Sequence, residues 1–159
     1  MAVYDIGQYC VNGHFINGRA LSEPDDSKDF CSECGARTIT TCQTCEREIP
    51  GEEIDALIVY EDHSAPKYCH YCGNPFPWTV TALQAARELA DELENISDGE
   101  RAMLKSSIDE LVKDTPKTTV AAMRFKRIVT KAGPEAASMF RDIMIGVVTT
   151  AIARQIGIG

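Results

Sequence analysis

Eight side chains in the first half of the chain have the types and spacing to hold metal. Three Cys-x2-Cys pairs, Cys31/Cys34, Cys42/Cys45 and Cys69/Cys72, and one Cys-x3-His pair, Cys10/His14, use all seven cysteines. Cys-x2-Cys is the spacing of a zinc knuckle, in which a tight turn brings two thiolates to one ion. Eight donors fill two tetrahedral Zn2+ sites. A catalytic zinc keeps a coordination position open for water, whereas here each ion has four protein donors and no cysteine is left as a nucleophile. Three histidines are too few to suggest a hydrolase triad. No phosphate-binding loop, dinucleotide fingerprint or His-Glu-x2-His motif appears. The chemistry expected is structural zinc, not an enzyme.

The four pairs can be joined sequentially, nested, or crossed as in a RING finger. A nested site would need the chain to turn back between Cys34 and Cys42. The connector Ala36-Arg37-Thr38-Ile39-Thr40-Thr41 has no turn residue and is rich in β-branched side chains, which favour extended chain. Extended, it carries Cys42 on the order of 20 Å from Cys34. An internal repeat favours sequential joining. Phe30-Cys31-Ser32-Glu33-Cys34-Gly35 recurs as Tyr68-Cys69-His70-Tyr71-Cys72-Gly73, and Ile16-Asn17-Gly18 after the first pair recurs as Ile49-Pro50-Gly51 after the third. A unit that recurs whole closes on its own metal, giving Cys10/His14/Cys31/Cys34 and Cys42/Cys45/Cys69/Cys72. Spacing alone leaves crossed pairing open, with the rival function of a ubiquitin-ligase-type adaptor. His63, in Glu-Asp-His-Ser-Ala-Pro, reads as solvated, and the side chain of His70 as facing away from the metal.

The string YCVNGHFING…FCSECGAR…CQTCEREIPG…YCHYCGNPFPWT resembles a bacterial family of unknown function that carries a double zinc ribbon. The resemblance covers residues 4–79 and implies zinc at the eight donors. It implies no activity. His14 departs from an all-cysteine ribbon pair and makes the first site Cys3His.

The elements that position these donors follow from composition. Residues 1–78 carry five Lys/Arg and thirteen Asp/Glu, and residues 79–159 eleven of each. All the cysteines lie in the first part. The fold class expected is therefore a small zinc-stabilised β module of tandem zinc ribbons over 1–78, then an all-α domain of about four helices over 79–159. The first part has few large apolar residues, so metal binding supplies its folding free energy. Seven thiolates and two Zn2+ add about −3 to its charge, which argues against nucleic acid, whose affinity comes from Lys and Arg on phosphates. A nucleic-acid-binding regulator is thus disfavoured, and a basic protein partner fits better. The first residues lack the basic start and apolar run of a signal peptide, and unpaired cysteines suit a reducing compartment. Both point to the bacterial cytoplasm.

Phe76 and Trp78, in the proline-stiffened run Pro75-Phe76-Pro77-Trp78, are expected to dock the zinc module onto the helical domain. Helical signals begin directly after them. Thr81-Ala82-Leu83-Gln84 and Ser97-Asp98-Gly99-Glu100 read as capping boxes. A basic third helix runs from about Thr118 to Lys131 and is stopped by Gly133. A fourth is expected from Pro134 to Gln155. From Ile143 to Ala153 no residue is charged. This run is too short to span a membrane, and it suggests either a buried central helix or self-association of the chain through this segment.

Overall fold

The computed structural model describes residues 3–55 and 63–158. The chain divides into two compact units, Met1–Val80 and Thr81–Gly159.

Among the described residues the first unit holds five short strands. They are β1 (Tyr4–Ile6), β2 (Gln8–Cys10), β3 (Phe15–Asn17), β4 (Thr38–Ile39) and β5 (Pro50–Glu53). The connector between Cys34 and Cys42 is extended at its centre, as its β-branched residues dictate, and there β4 pairs antiparallel with β2 (Tyr9↔Ile39, Cys10↔Thr38). β3 pairs with the other edge of β2, and β1 pairs with β5 as a separate two-stranded sheet. The two Ile-x-Gly turns of the repeat meet here. The Glu52 N–H donates to the Gly18 carbonyl at 2.8 Å, and a Cβ on Gly51 would stand 2.1 Å from that carbonyl oxygen. Only glycine allows so close an approach.

The apolar content of this unit goes further than its composition suggests. Tyr9, Ile39, Ile49, Phe76 and Trp78, with Cys42 and Cys69, form one buried cluster. Phe76 and Trp78 turn into this cluster and stack at 4.8 Å between ring centroids. The Trp78 indole donates to the Pro66 carbonyl at 2.8 Å. The two aromatics expected to dock the module elsewhere are thus core residues of their own unit.

Five helices come next among the described residues, where about four are expected: α1 (Pro77–Glu92), α2 (Asp98–Leu111), α3 (Thr118–Ala132), α4 (Pro134–Met144) and α5 (Thr150–Ile156). α1 starts four residues before the Thr81 capping box. Proline suits a first turn because its fixed φ is already helical and its missing N–H is not needed there. The Thr79 and Val80 N–H groups both reach the Phe76 carbonyl, at 3.0 and 3.2 Å. α2 opens on the expected box, with Ser97 and Glu100 satisfying each other's backbone. α3 ends at Gly133, whose φ is 112°.

The single helix expected from Pro134 to Gln155 is broken at Gly146. Four β-branched residues succeed the glycine, and Thr149 turns extended and accepts the Ile152 N–H on its hydroxyl, capping a new helix. The break folds the uncharged run into the unit's own core: Val147, Val148, Ile152 and Ile156 are buried, as are Phe125, Phe140 and Met144. Met139 and Ile145 stay exposed. Among the described residues no helix is long and apolar enough to cross a membrane.

Candidate metal centres

Three turns of one design carry the cysteine pairs. In each, the first cysteine's N–H bonds to the carbonyl five residues on, and its carbonyl accepts the N–H four residues on. The pairs are Cys31 with Ala36 and Gly35, Cys42 with Arg47 and Glu46, and Cys69 with Asn74 and Gly73. The residue four on from the first cysteine is left-handed each time: Gly35 at φ 70°, Glu46 at 61° and Gly73 at 73°. A Cβ at Gly35 or Gly73 would meet nothing within 4 Å, so glycine serves the backbone angle there and not space. Cys10 and His14 sit on a fourth turn, closed by Cys10 N–H to His14 carbonyl at 3.0 Å.

These turns bring the eight donors into two groups. Cys10, His14, Cys31 and Cys34 form one, Cys42, Cys45, Cys69 and Cys72 the other, with all ligand atoms of a group within 4.8 Å of one another. The joining is sequential. A crossed, RING-type arrangement would set Cys10 and His14 beside Cys42 and Cys45, and the chain does not do so. The cysteines are free thiols. Sulfur separations are 3.7 Å for Cys10–Cys34, 3.8 Å for Cys42–Cys72 and 3.7 Å for Cys45–Cys69. A disulfide needs ~2.05 Å, whereas corners of a tetrahedron with ~2.3 Å Zn–S bonds stand ~3.8 Å apart. The His14 Nδ1 lies 3.4 Å from Cys10 Sγ and 3.5 Å from Cys31 Sγ, close to the ~3.6 Å edge between sulfur and a nitrogen ~2.05 Å from the same ion. The donor set therefore fits Zn2+ in both type and shape.

Charge makes the same demand. The Cys34 thiol is held down to about 6 by the Ala36 N–H and the Asn12 amide. Cys72 is held down to about 6 by the N–H and side-chain amide of Asn74. At Cys45 an N–H from Arg47 favours the thiolate, but burial and the sulfurs of Cys72 and Cys69 outweigh it and push the group up to about 11. Burial pushes Cys10 up as well. Three sulfurs in the first group and four in the second lie too close to carry charge together unaided, and a divalent cation at each centre would resolve the conflict.

The outer surroundings were only partly visible in the sequence. Asn12 Nδ2 donates to Cys34 Sγ at 3.4 Å and Asn74 Nδ2 to Cys72 Sγ at 3.5 Å. An asparagine beside a ligand pair is the signal that could have found them. Glu33, on the knuckle between Cys31 and Cys34, faces the other ring nitrogen of His14 at 3.6 Å, the placement of a carboxylate behind a ligating histidine. His63 is exposed and stacks on Phe15, ring centroids 4.1 Å apart. His70 lies against Tyr71 at 3.9 Å, outside both groups of donors.

The two centres are inequivalent. Cys34 of the first is exposed. Cys42 and Cys69 of the second belong to the apolar core.

A family model described as an uncharacterised protein conserved in bacteria, DUF2321, matches residues 3–156. The chain belongs to this family. The match runs through both units, so the cysteine turns and the helices are parts of one family architecture. No curated protein and no solved structure matches the chain.

Proposed function

We propose that the chain is a non-enzymatic zinc-binding protein, with two structural Zn2+ ions in tandem ribbon-like modules, that acts as a protein-interaction or scaffolding module in the bacterial cytoplasm. The observation that carries the reading is the closure of both donor sets: four donors each, at tetrahedral spacing. Zinc with three or four thiolates is a weak Lewis acid, and its contribution is folding energy. The acidic balance of residues 1–78 supports a partner with a basic surface over nucleic acid. Seven cysteines free to ligate support a reducing compartment.

Elemental analysis of protein never exposed to chelator tests the metal content. Two zincs per chain are expected, and a value near one removes the repeat as a pair of closed sites.

Self-association around Ile143–Ala153 is a second, rival reading, with Met139 and Ile145 as its exposed apolar side chains. Val148 is buried, so Ile145→Glu is the informative change. On that reading light scattering reports a smaller mass for the variant than for the wild type, and equal masses remove this interface.

A further inference from the structure

Helix α3 has two faces. Ala121, Ala122, Phe125, Ile128 and Val129 are buried. At about 100° per residue, Lys117, Val120, Met123, Arg124, Lys126 and Arg127 cover the opposite half, and all six are exposed. No acidic residue occurs between Lys117 and Gly133. Lys131 is neutralised by Glu100 at 2.8 Å, and Arg127 reaches the sulfur of Met103, at 3.6 Å. Among the described residues no carboxylate lies within 4.0 Å of Lys117, Arg124 or Lys126. A run of cations alone is an ordinary solvated face. Here Met123 and Val120 sit among them, 68% and 49% exposed, and solvation gives no reason for that.

The first unit carries a surface of the same make-up and opposite sign. Leu21 is 67% exposed and is succeeded by the exposed carboxylates Glu23, Asp25, Asp26 and Asp29 around the 3-10 turn Pro24–Asp26. Lys28 directs its amine to the Asp25 backbone carbonyl at 3.1 Å. No cation lies within 4.0 Å of the Asp25, Asp26 or Asp29 carboxylates among the described residues.

We propose that the basic partner of the acidic unit is a second copy of this chain, with the Leu21–Asp29 turn of one copy docked on the outer face of α3 of the other. This rests on the reading of the chain as an interaction module and names the partner. Charge complementarity selects the occupant. An anionic lipid surface or a nucleic acid would meet α3 but would be repelled by a first unit with thirteen acidic and five basic residues. A second copy supplies both surfaces at equal concentration. In the proposed exchange each copy's turn sits on the other copy's α3, the closed twofold arrangement of a dimer.

The experiment is light scattering across a salt series on wild type, Arg124→Glu/Arg127→Glu and Asp25→Lys/Asp26→Lys, with zinc content and far-UV circular dichroism confirming that each is folded. Wild type should show twice the 17.5 kDa monomer mass at low ionic strength and dissociate as salt screens the pairs. Each double variant should raise the dissociation constant by about tenfold or more, and mixing the two variants should restore a dimer. A wild type that is monomeric at low salt overturns the proposal, as does a dimer indifferent to both double variants but lost in Ile145→Glu. Binding of wild type to phosphatidylglycerol vesicles that Arg124→Glu/Arg127→Glu abolishes would also overturn it, by assigning the face to lipid. In all of these a zinc content of two leaves the metal reading standing, so the two failures are separable.

Discussion

Cys42→Ser should expose Trp78 and leave the helices of the second unit in place. Cys42 and Cys69 are 3% and 4% exposed and are packed into the cluster that contains Tyr9, Ile39, Ile49, Phe76 and Trp78. The second centre and the apolar core are thus one object. A structural zinc in a small module contributes ~10–16 kcal/mol of apparent binding free energy at neutral pH. A whole domain has a net stability of only ~5–15 kcal/mol, so losing the ion removes as much as the unit has. Serine also leaves a buried hydroxyl in place of a ligand, at a cost of ~1–3 kcal/mol if unpaired. Trp78 is the single tryptophan and is 5% exposed, so its emission reports on this unit alone. The expected result is a red-shifted emission like that of the denatured chain, with most of the far-UV helical signal and its thermal midpoint retained. The first turn of α1 should fray, because Thr79 and Trp78 tie it to Lys67 and Pro66. A blue, unshifted emission in a variant shown to hold only one zinc would refute the sharing of core and metal. Loss of the helical signal together with Trp78 would show that the two units fold as one.

A chromogenic chelator should remove zinc in two phases, with the Cys10/His14/Cys31/Cys34 ion leaving first because Cys34 is exposed; simultaneous loss would count against inequivalent centres. Glu46→Gly should raise the thermal midpoint of the first unit, since Glu46 holds a φ of 61° where the other two knuckles place glycine; relief of about 1 kcal/mol is expected, read from Trp78 emission. Glu100 is held below the usual carboxylate range by the Lys131 ammonium and the Ser97 N–H. Its stabilising effect is therefore present above the ordinary carboxylate pKa and is lost as pH falls through the depressed folded value. Glu100→Gln should lower the helical midpoint at pH 7 and approach wild type in acid, and a constant offset at all pH values would exclude this linkage.

The two groups of candidate metal ligands were legible because zinc chemistry restricts both residue type and spacing. The repeat added the pairing, which spacing does not contain. Element ends were legible where one residue decides them: Ser97 and Glu100 start α2, and Gly133 stops α3. The break in the last helix was not legible, although its cause lies in the sequence at Gly146 and Thr149. A long apolar pattern looks the same whether it is one helix or two short helices folded on each other, because tertiary burial decides between them. The same limit hid the core of the first unit. Phe76 and Trp78 come after the last knuckle at a point where their side chains could turn either way, and only the strand pairing of β2 and β4 sets Tyr9 and Ile39 where those rings can meet them.

The repeat also explains why two similar modules ended with different centres. Each carries a ligand pair, an Ile-x-Gly turn and a knuckle, and the turns abut at Gly18 and Gly51. The difference lies in the chain beyond each knuckle. After Cys34 it enters β4 and continues into the next pair, and the first centre keeps an exposed sulfur. After Cys72 it enters Phe76, Pro77 and Trp78, and those rings close over the second centre as α1 begins. Gly13, in the turn between Cys10 and His14, lies against Trp78 as well: a Cβ there would be 3.0 Å from its side chain. The indole is therefore packed against the second centre's core and against the loop of the first. One aromatic side chain at the start of a helix thus touches the surroundings of both candidate metal sites, which ligand spacing alone would leave separate.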